Sequence, residues 1–162
     1  MSKTLQIAFN QLIDFLEKTE TEEKIKYYLV GGILSNIYTV FRATQDIDFV
    51  VDLQSNNLSI EYYISLLQKY HFLPLQNWET TAILAKDTKM IQFFDKQDTV
   101  KFDSYLIDKF DMSKYKRIGP IALKNRVRKK LFDVECWVTS KEDFIISKLV
   151  YGGWQDYADA LG

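Results

Sequence analysis

Apolar residues recur every three or four positions at the start of the chain: Leu5, Ala8, Phe9, Leu12, Ile13, Phe15 and Leu16. That period predicts an amphipathic helix ending before the Glu/Lys-rich stretch 17–24. The pattern then changes. Tyr27-Tyr28-Leu29-Val30 is a continuous apolar run closed by Gly31-Gly32, and Ile33, Leu34, Ile37 and Tyr38 return to helical spacing. A buried strand, a glycine turn and a helix are expected there. Residues 46–53, Asp-Ile-Asp-Phe-Val-Val-Asp-Leu, begin with strict alternation and read as a second strand. Beyond a polar 54–57 loop, Ile60, Tyr63, Ile64, Leu67 and Tyr70 mark another helix.

The middle of the chain reads as β-rich, with strands at 81–85, 90–94 and 100–106 separated by Lys/Asp/Gln clusters, and a last strand over 131–138. Ser140 then offers an N-cap with Asp143 three residues on, and Phe144, Ile145, Leu149 and Val150 form the apolar face of a helix. Gly152-Gly153 interrupts it, and a short closing helix runs from Trp154 to Gly162, where the chain reads as cut short. These elements predict one α/β (α+β) domain over 1–162. A mixed β-sheet flanked by helices forms its core, about 25–138, and a C-terminal helical segment covers about 140–161.

Composition narrows the class. Of 162 residues, 47% are hydrophobic and 15% aromatic, which excludes a disordered chain. A net charge of −1 gives no reason by itself to expect nucleic acid or membrane as partner. With Cys136 the single cysteine and His71 the single histidine, neither an internal disulfide nor a Cys/His zinc site can form, and a cytoplasmic setting is expected. The amino terminus passes straight into the amphipathic pattern, so no signal peptide or membrane span is expected. Cys136 reads as a buried small hydrophobe, His71 as surface or packing, and Trp78, Trp137 and Trp154 as packing residues, although each could stack a base. No nucleophile elbow and no Walker loop occur.

Candidate chemistry sits on the second strand. Asp46 and Asp48 are two apart, so both side chains leave one face while Ile47, Phe49 and Val51 take the other. Asp103 lies on a later strand, and if the two strands are neighbours a third carboxylate joins the pair. Three such groups can hold two divalent ions about 3.5–4 Å apart, the arrangement that clamps the attacking and leaving oxygens of a phosphoryl-type displacement. Magnesium suits hard oxygen ligands. Acids at a strand edge facing water are the competing explanation. Gly31-Gly32, at a strand-to-helix junction, could offer backbone N–H groups to a phosphate or could simply make the turn. Lys148 falls between Phe144 and Ile145 on a helical wheel, as a phosphate ligand or a snorkelling lysine.

Taken together, Val30-Gly31-Gly32 followed by Arg42-Ala43-Thr44-Gln45-Asp46-Ile47-Asp48-Phe49 resembles the Gly-Gly and R-x-T-x-D-h-D signature of the DNA polymerase β-like nucleotidyltransferase superfamily. Within it, the chain is most similar to AbiEii-type toxin nucleotidyltransferases and related small bacterial domains. Residues 138–149 are similar to the family's lysine-bearing helix, and Gln155-Asp156-Tyr157-Ala158-Asp159 to its closing D-x-x-D helix. Matched segments spread over residues 27 to 160. Family members often carry a His or small residue and a Pro just before the Arg, where this chain has Tyr38-Thr39-Val40-Phe41.

The resemblance implies a nucleotidyltransferase fold and Mg²⁺-dependent transfer of a nucleoside monophosphate from an NTP to a hydroxyl of RNA or protein. The setting it implies is a toxin–antitoxin pair or phage defence, with a cognate antitoxin as partner. It assigns Asp46, Asp48 and Asp103 to two metal ions, with Asp103 as ligand or base. Gly31, Gly32 and Lys148 go to the nucleotide phosphates, Arg42 and Thr44 to bracing the loop ahead of the acids, and Asp156 to the late acidic motif. The alternative is a catalytically weak binding module of the same fold, an antitoxin or nucleotide-sensing partner. A small-molecule acceptor is a third reading.

The charge balance hides an asymmetry that bears on the acceptor. Between Lys109 and Lys130 stand nine basic residues, among them Lys124, Arg126, Arg128 and Lys129, against the one acid Asp111. Such a run is either a solvated surface or a strip facing RNA or triphosphate, and beside a nucleotidyl site the second is expected.

Overall fold

Alternation decides which side each strand buries, and the aromatic residues fill one side. The computed structural model describes residues 3–34, 46–107 and 114–151, with side chains for all but 114–118 and 147–151. The chain runs α1 (Lys3–Glu23), β1 (Lys26–Val30), a 3₁₀ turn (Gly31–Leu34), β2 (Asp46–Asp52) and a second 3₁₀ turn (Gln54–Asn56). It continues α2 (Ile60–Lys69), β3 (Leu73–Pro74), α3 (Trp78–Thr88), β4 (Met90–Phe94), β5 (Lys101–Leu106), α4 (Lys114–Asn125), β6 (Val127–Leu131), β7 (Val134–Val138) and α5 (Lys141–Tyr151).

Among the described residues the strands form one seven-stranded sheet, ordered β3-β4-β5-β2-β1-β7-β6. It is mixed: β2 pairs antiparallel with β1 and parallel with β5, and β1 pairs parallel with β7. On one face Ile47, Phe49 and Val51 are fully buried with Phe93, Phe102 and the apolar stripes of α1 and α2. Phe72 meets Phe15, Phe93 and Phe102 edge-on at centroid separations of 5.2, 5.0 and 6.0 Å, the offset geometry that aromatic quadrupoles favour. The opposite face carries the acids and is partly covered, with Tyr28, Val50, Ile107 and Ala122 of α4 forming a smaller apolar cluster. Cys136 is buried and His71 exposed, as their sequence contexts predict.

Three elements differ from the sequence reading. The expected strand at 81–85 is part of α3. Its buried stripe is Trp78, Thr81, Ala82 and Ala85, a helical period, and the Asn77 side chain caps it by accepting from the Thr80 N–H at 2.7 Å. The first helix continues through residues 17–23 and ends at Lys24, which takes a left-handed φ of 61°. The expected strand over 131–138 is the end of one strand and all of the next. Phe132 and Asp133 turn between them with φ of 52° and 65°, the positive values a two-residue hairpin of this hand requires. The Ser140 cap is as expected, accepting from the Asp143 N–H at 3.2 Å and donating to its carboxylate at 3.0 Å.

Candidate active site

Register brings the acids together. Asp48 lies opposite Asp103 across the parallel pair β2–β5, opposite Val30 across β1–β2, and Asp103 in turn lies opposite Gln92 across β4–β5. One row therefore crosses four strands: Val30, Asp48, Asp103, Gln92. Asp46, two residues back, sits opposite Lys101. Lys101 Nζ stands 3.7 Å from Asp46 and 3.7 Å from Asp103, and the Gln92 amide donates to Asp103 Oδ1 at 3.1 Å. Lys101 thus engages two of the acids at once.

Burial and the neighbouring acids show in Asp48. Burial first, then the charge of Asp103 and its hydrogen bond, then Asp46, push its carboxyl up from 3.8 to about 7, with Lys101 pulling the other way. Its Oδ1 is buried and meets no hydrogen-bond partner among the described residues. The same acid field, after burial, raises the Tyr105 phenol to about 12.

Gly31 shapes this pocket directly. At φ +78° it occupies backbone space that glycine adopts freely, and a Cβ there would stand 2.5 Å from Asp48 Oδ2. The glycine turn and the acid pair are one contact: only a residue without a side chain lets the Asp48 carboxylate lie against the turn. Within the described residues the turn is a four-residue 3₁₀ segment, Gly31–Leu34, that opens with the two glycines.

The donor set suits a hard divalent cation in part. Two facing carboxylates and a buried oxygen without a partner offer what Mg²⁺ takes. Yet among the described residues no group of three His, Cys, Asp or Glu side chains closes into a ready ligand set. Asp46 is half-exposed and engaged by Lys101.

Of the other expected site residues, Arg42, Thr44 and Asp156 lie outside the described residues. Lys148 is placed on α5 by its backbone, and its side chain also lies outside them. Sequence reading missed Lys101 and Gln92. Lys101 carried a signal, since it alternates with Asp103 on the same strand face; Gln92 became visible only through the β4–β5 register.

The basic segment is partly engaged. Arg126 gives Nη1 and Nη2 to Glu20 at 2.6 and 2.9 Å, donates to the Tyr27 carbonyl at 2.9 Å, and stacks on Trp137 at 3.9 Å. Arg128 pairs with Glu17 at 2.7 Å and lies over the same indole at 5.2 Å. Trp137 thus serves as packing for arginines. Lys124, Lys129 and Lys130 are exposed.

This fold is that of nucleotidyltransferases. The chain is similar to the crystal structure of an antigenic nucleotidyltransferase-like protein from Paracoccidioides brasiliensis, at a TM-score of 0.61 and 15% identity, covering 95% of this chain and 74% of that one. It is also similar to the lincosamide antibiotic adenylyltransferase LnuA with lincomycin bound, at a TM-score of 0.55 and 16% identity, covering 94% and 93%. No protein-family model matches the chain, and no curated protein matches its sequence. Among the described residues no helix is long and apolar enough to cross a membrane.

Proposed function

We propose that the chain transfers a nucleoside monophosphate from an NTP to a hydroxyl of an acceptor. The observation that carries this reading is the facing pair Asp48 and Asp103, with one buried carboxylate oxygen left without a partner beside the Gly31 turn. Asp48 and Asp103 would hold a divalent cation, with Asp46 joining them. When bound, Mg²⁺ would neutralise charge on the attacking and leaving oxygens. The acceptor oxygen attacks the α-phosphorus, the bond to pyrophosphate breaks, and the acceptor's proton passes to Asp103. Gln92 and Lys101 hold that carboxylate in place. General-base help of this kind is worth about 10²–10⁴-fold.

Two acceptor classes compete. RNA or protein, as for a toxin, would lean on the basic segment, where Lys124, Lys129 and Lys130 are exposed but Arg126 and Arg128 already serve acids of α1. A small acceptor matches the description of one structural neighbour, an adenylyltransferase for an antibiotic. We adopt the small acceptor because Gln92, which donates to Asp103, also borders a groove between α3 and β4.

The test is to incubate purified protein with each α-labelled NTP and Mg²⁺, adding either total RNA or a small-molecule cell extract. Label in the small-molecule fraction is the expected result, and it disappears in the Asp46→Ala/Asp48→Ala variant while the fold is kept. Labelled RNA restores the toxin reading, and no label in any fraction leaves a binding module. Transfer that survives in the double variant sinks the site.

A further inference from the structure

The row of residues that begins at the glycine turn does not end at Asp103. Gln92, which donates to Asp103 Oδ1 at 3.1 Å, also forms the near wall of a groove between α3 and β4. The groove exists because β3 is short. It pairs only with Phe93 and Phe94, so among the described residues no strand lies beyond the 90–92 half of β4, and α3 borders it instead. Two strand spacings put Gln92, its near wall, roughly 10 Å from Asp48.

Its walls have a definite chemistry. Leu75, Leu84 and Met90 supply apolar surface, Thr80 and Gln92 supply uncharged polar groups, and among the described residues no charged side chain lines it. Leu75 and Leu84 are 46% and 56% exposed, a large apolar area for a surface to leave uncovered. The volume, about 200 Å³, lies below the roughly 300–1,000 Å³ of clefts that enclose whole drug-sized ligands, so it seats one ring or short chain of a larger molecule. These walls lack the Lys and Arg cations that supply most of the affinity for a phosphodiester backbone.

Resting on the nucleotidyl-transfer reading, we infer that this groove is the acceptor subsite and takes the apolar portion of a small, neutral, hydroxyl-bearing molecule. Gln92 is the positioning residue that joins the two halves of the site. One side of its amide holds the carboxylate that receives the proton, and its side chain borders the molecule that supplies it.

The chain has three methionines, so methyl-¹³C labelling gives three signals, with Met90 inside the groove and identified by Met90→Leu. The probe is phenyl β-D-glucoside, a soluble neutral molecule with one apolar ring and several hydroxyls. Its titration should shift the Met90 signal saturably, with a dissociation constant of roughly 0.1–1 mM. The shift should be lost in Leu84→Glu and kept in Ile83→Glu, a neighbouring residue that is 61% exposed and outside the groove wall. A silent Met90, or a shift that survives in Leu84→Glu, overturns the inference. A shift caused by a single-stranded RNA decamer and not by the glucoside overturns it in favour of a polymer. Binding of the four NTPs with Mg²⁺ is measured separately by equilibrium dialysis. Its absence overturns the nucleotide reading on which the inference rests, while the Met90 signal still decides whether the groove binds such a molecule.

Discussion

At the β6–β7 hairpin, Arg126 gives both terminal nitrogens to Glu20, Arg128 reaches Glu17, the Tyr27 hydroxyl donates to Glu17 at 3.1 Å, and Trp137 lies against both guanidinium groups. At the middle of the sheet, Lys101 reaches Asp46 and Asp103, the Asp48 carboxyl faces Asp103, and among the described residues an oxygen of Asp48 is buried without a partner. Both clusters cost desolvation. The first recovers it in fork-to-carboxylate hydrogen bonds and a stacked ring. The second leaves one Asp48 oxygen unmatched among the described residues, which a fold tolerates where a ligand supplies the missing charge. The density of charge is therefore no guide to function here; the guide is whether the charges are matched.

Arg126→Ala should destabilise the protein by about 3 kcal/mol in chemical denaturation, because Glu20, whose side chain is only 22% exposed, would lose its charged partner. A loss below about 1 kcal/mol would mean the hairpin cluster is not structural. The acid row should respond in the opposite direction. Folding raises the Asp48 carboxyl from 3.8 to about 7, so the folded protein keeps a proton that the unfolded chain gives up across that window. In the absence of divalent cation, stability from this group is full below about pH 4, falls as pH rises, and is gone above about pH 7. Asp48→Asn removes the penalty, and should be more stable than the parent at pH 8 by on the order of 1–3 kcal/mol, with the difference closing towards pH 4. Mg²⁺ should narrow the gap by stabilising only the parent, and a pH-independent difference would refute the account. The smallest effect is expected at Lys129 and Lys130. Their joint replacement by Ala should change stability by no more than about 0.5 kcal/mol. It should also leave RNA affinity and its salt slope unaltered; a flatter slope would return the basic segment to the candidate RNA surface.

Much of the sheet centre was legible because alternation is a local property. Asp46, Ile47, Asp48 and Phe49 declare their faces by parity alone, and the structure keeps them there. What was not legible depended on partners distant in the chain or on turns without their usual residues. Arg126 and Glu20 are 106 residues apart, so the basic segment looked unmatched in sequence. Phe132-Asp133 makes a positive-φ turn without the glycine that normally announces one, so the end of β6 read as continuous with β7 and the rest of β6 went unread. Ile83 and Leu84 suggested a buried strand, but they are the exposed side of α3, and that misreading hid the groove wall. The Gly31 turn was recognised as special for the phosphates it could meet, while its contact with Asp48 emerged only from the fold.

The strand order has a consequence for synthesis. The two central strands, β1 and β2, come from the first third of the chain, and the strands that flank them, β5 and β7, are each the last made on their side of the sheet. The edge of β1 receives β7 only after residues 110 positions further on have been made, when the Thr139 N–H reaches the Leu29 carbonyl at 3.2 Å. At ribosomal rates of about 5–20 residues per second, Tyr27, Tyr28 and Leu29 present an unpaired apolar edge for roughly 5–20 s. The nascent chain, more than the finished protein, is where this fold is exposed to aggregation.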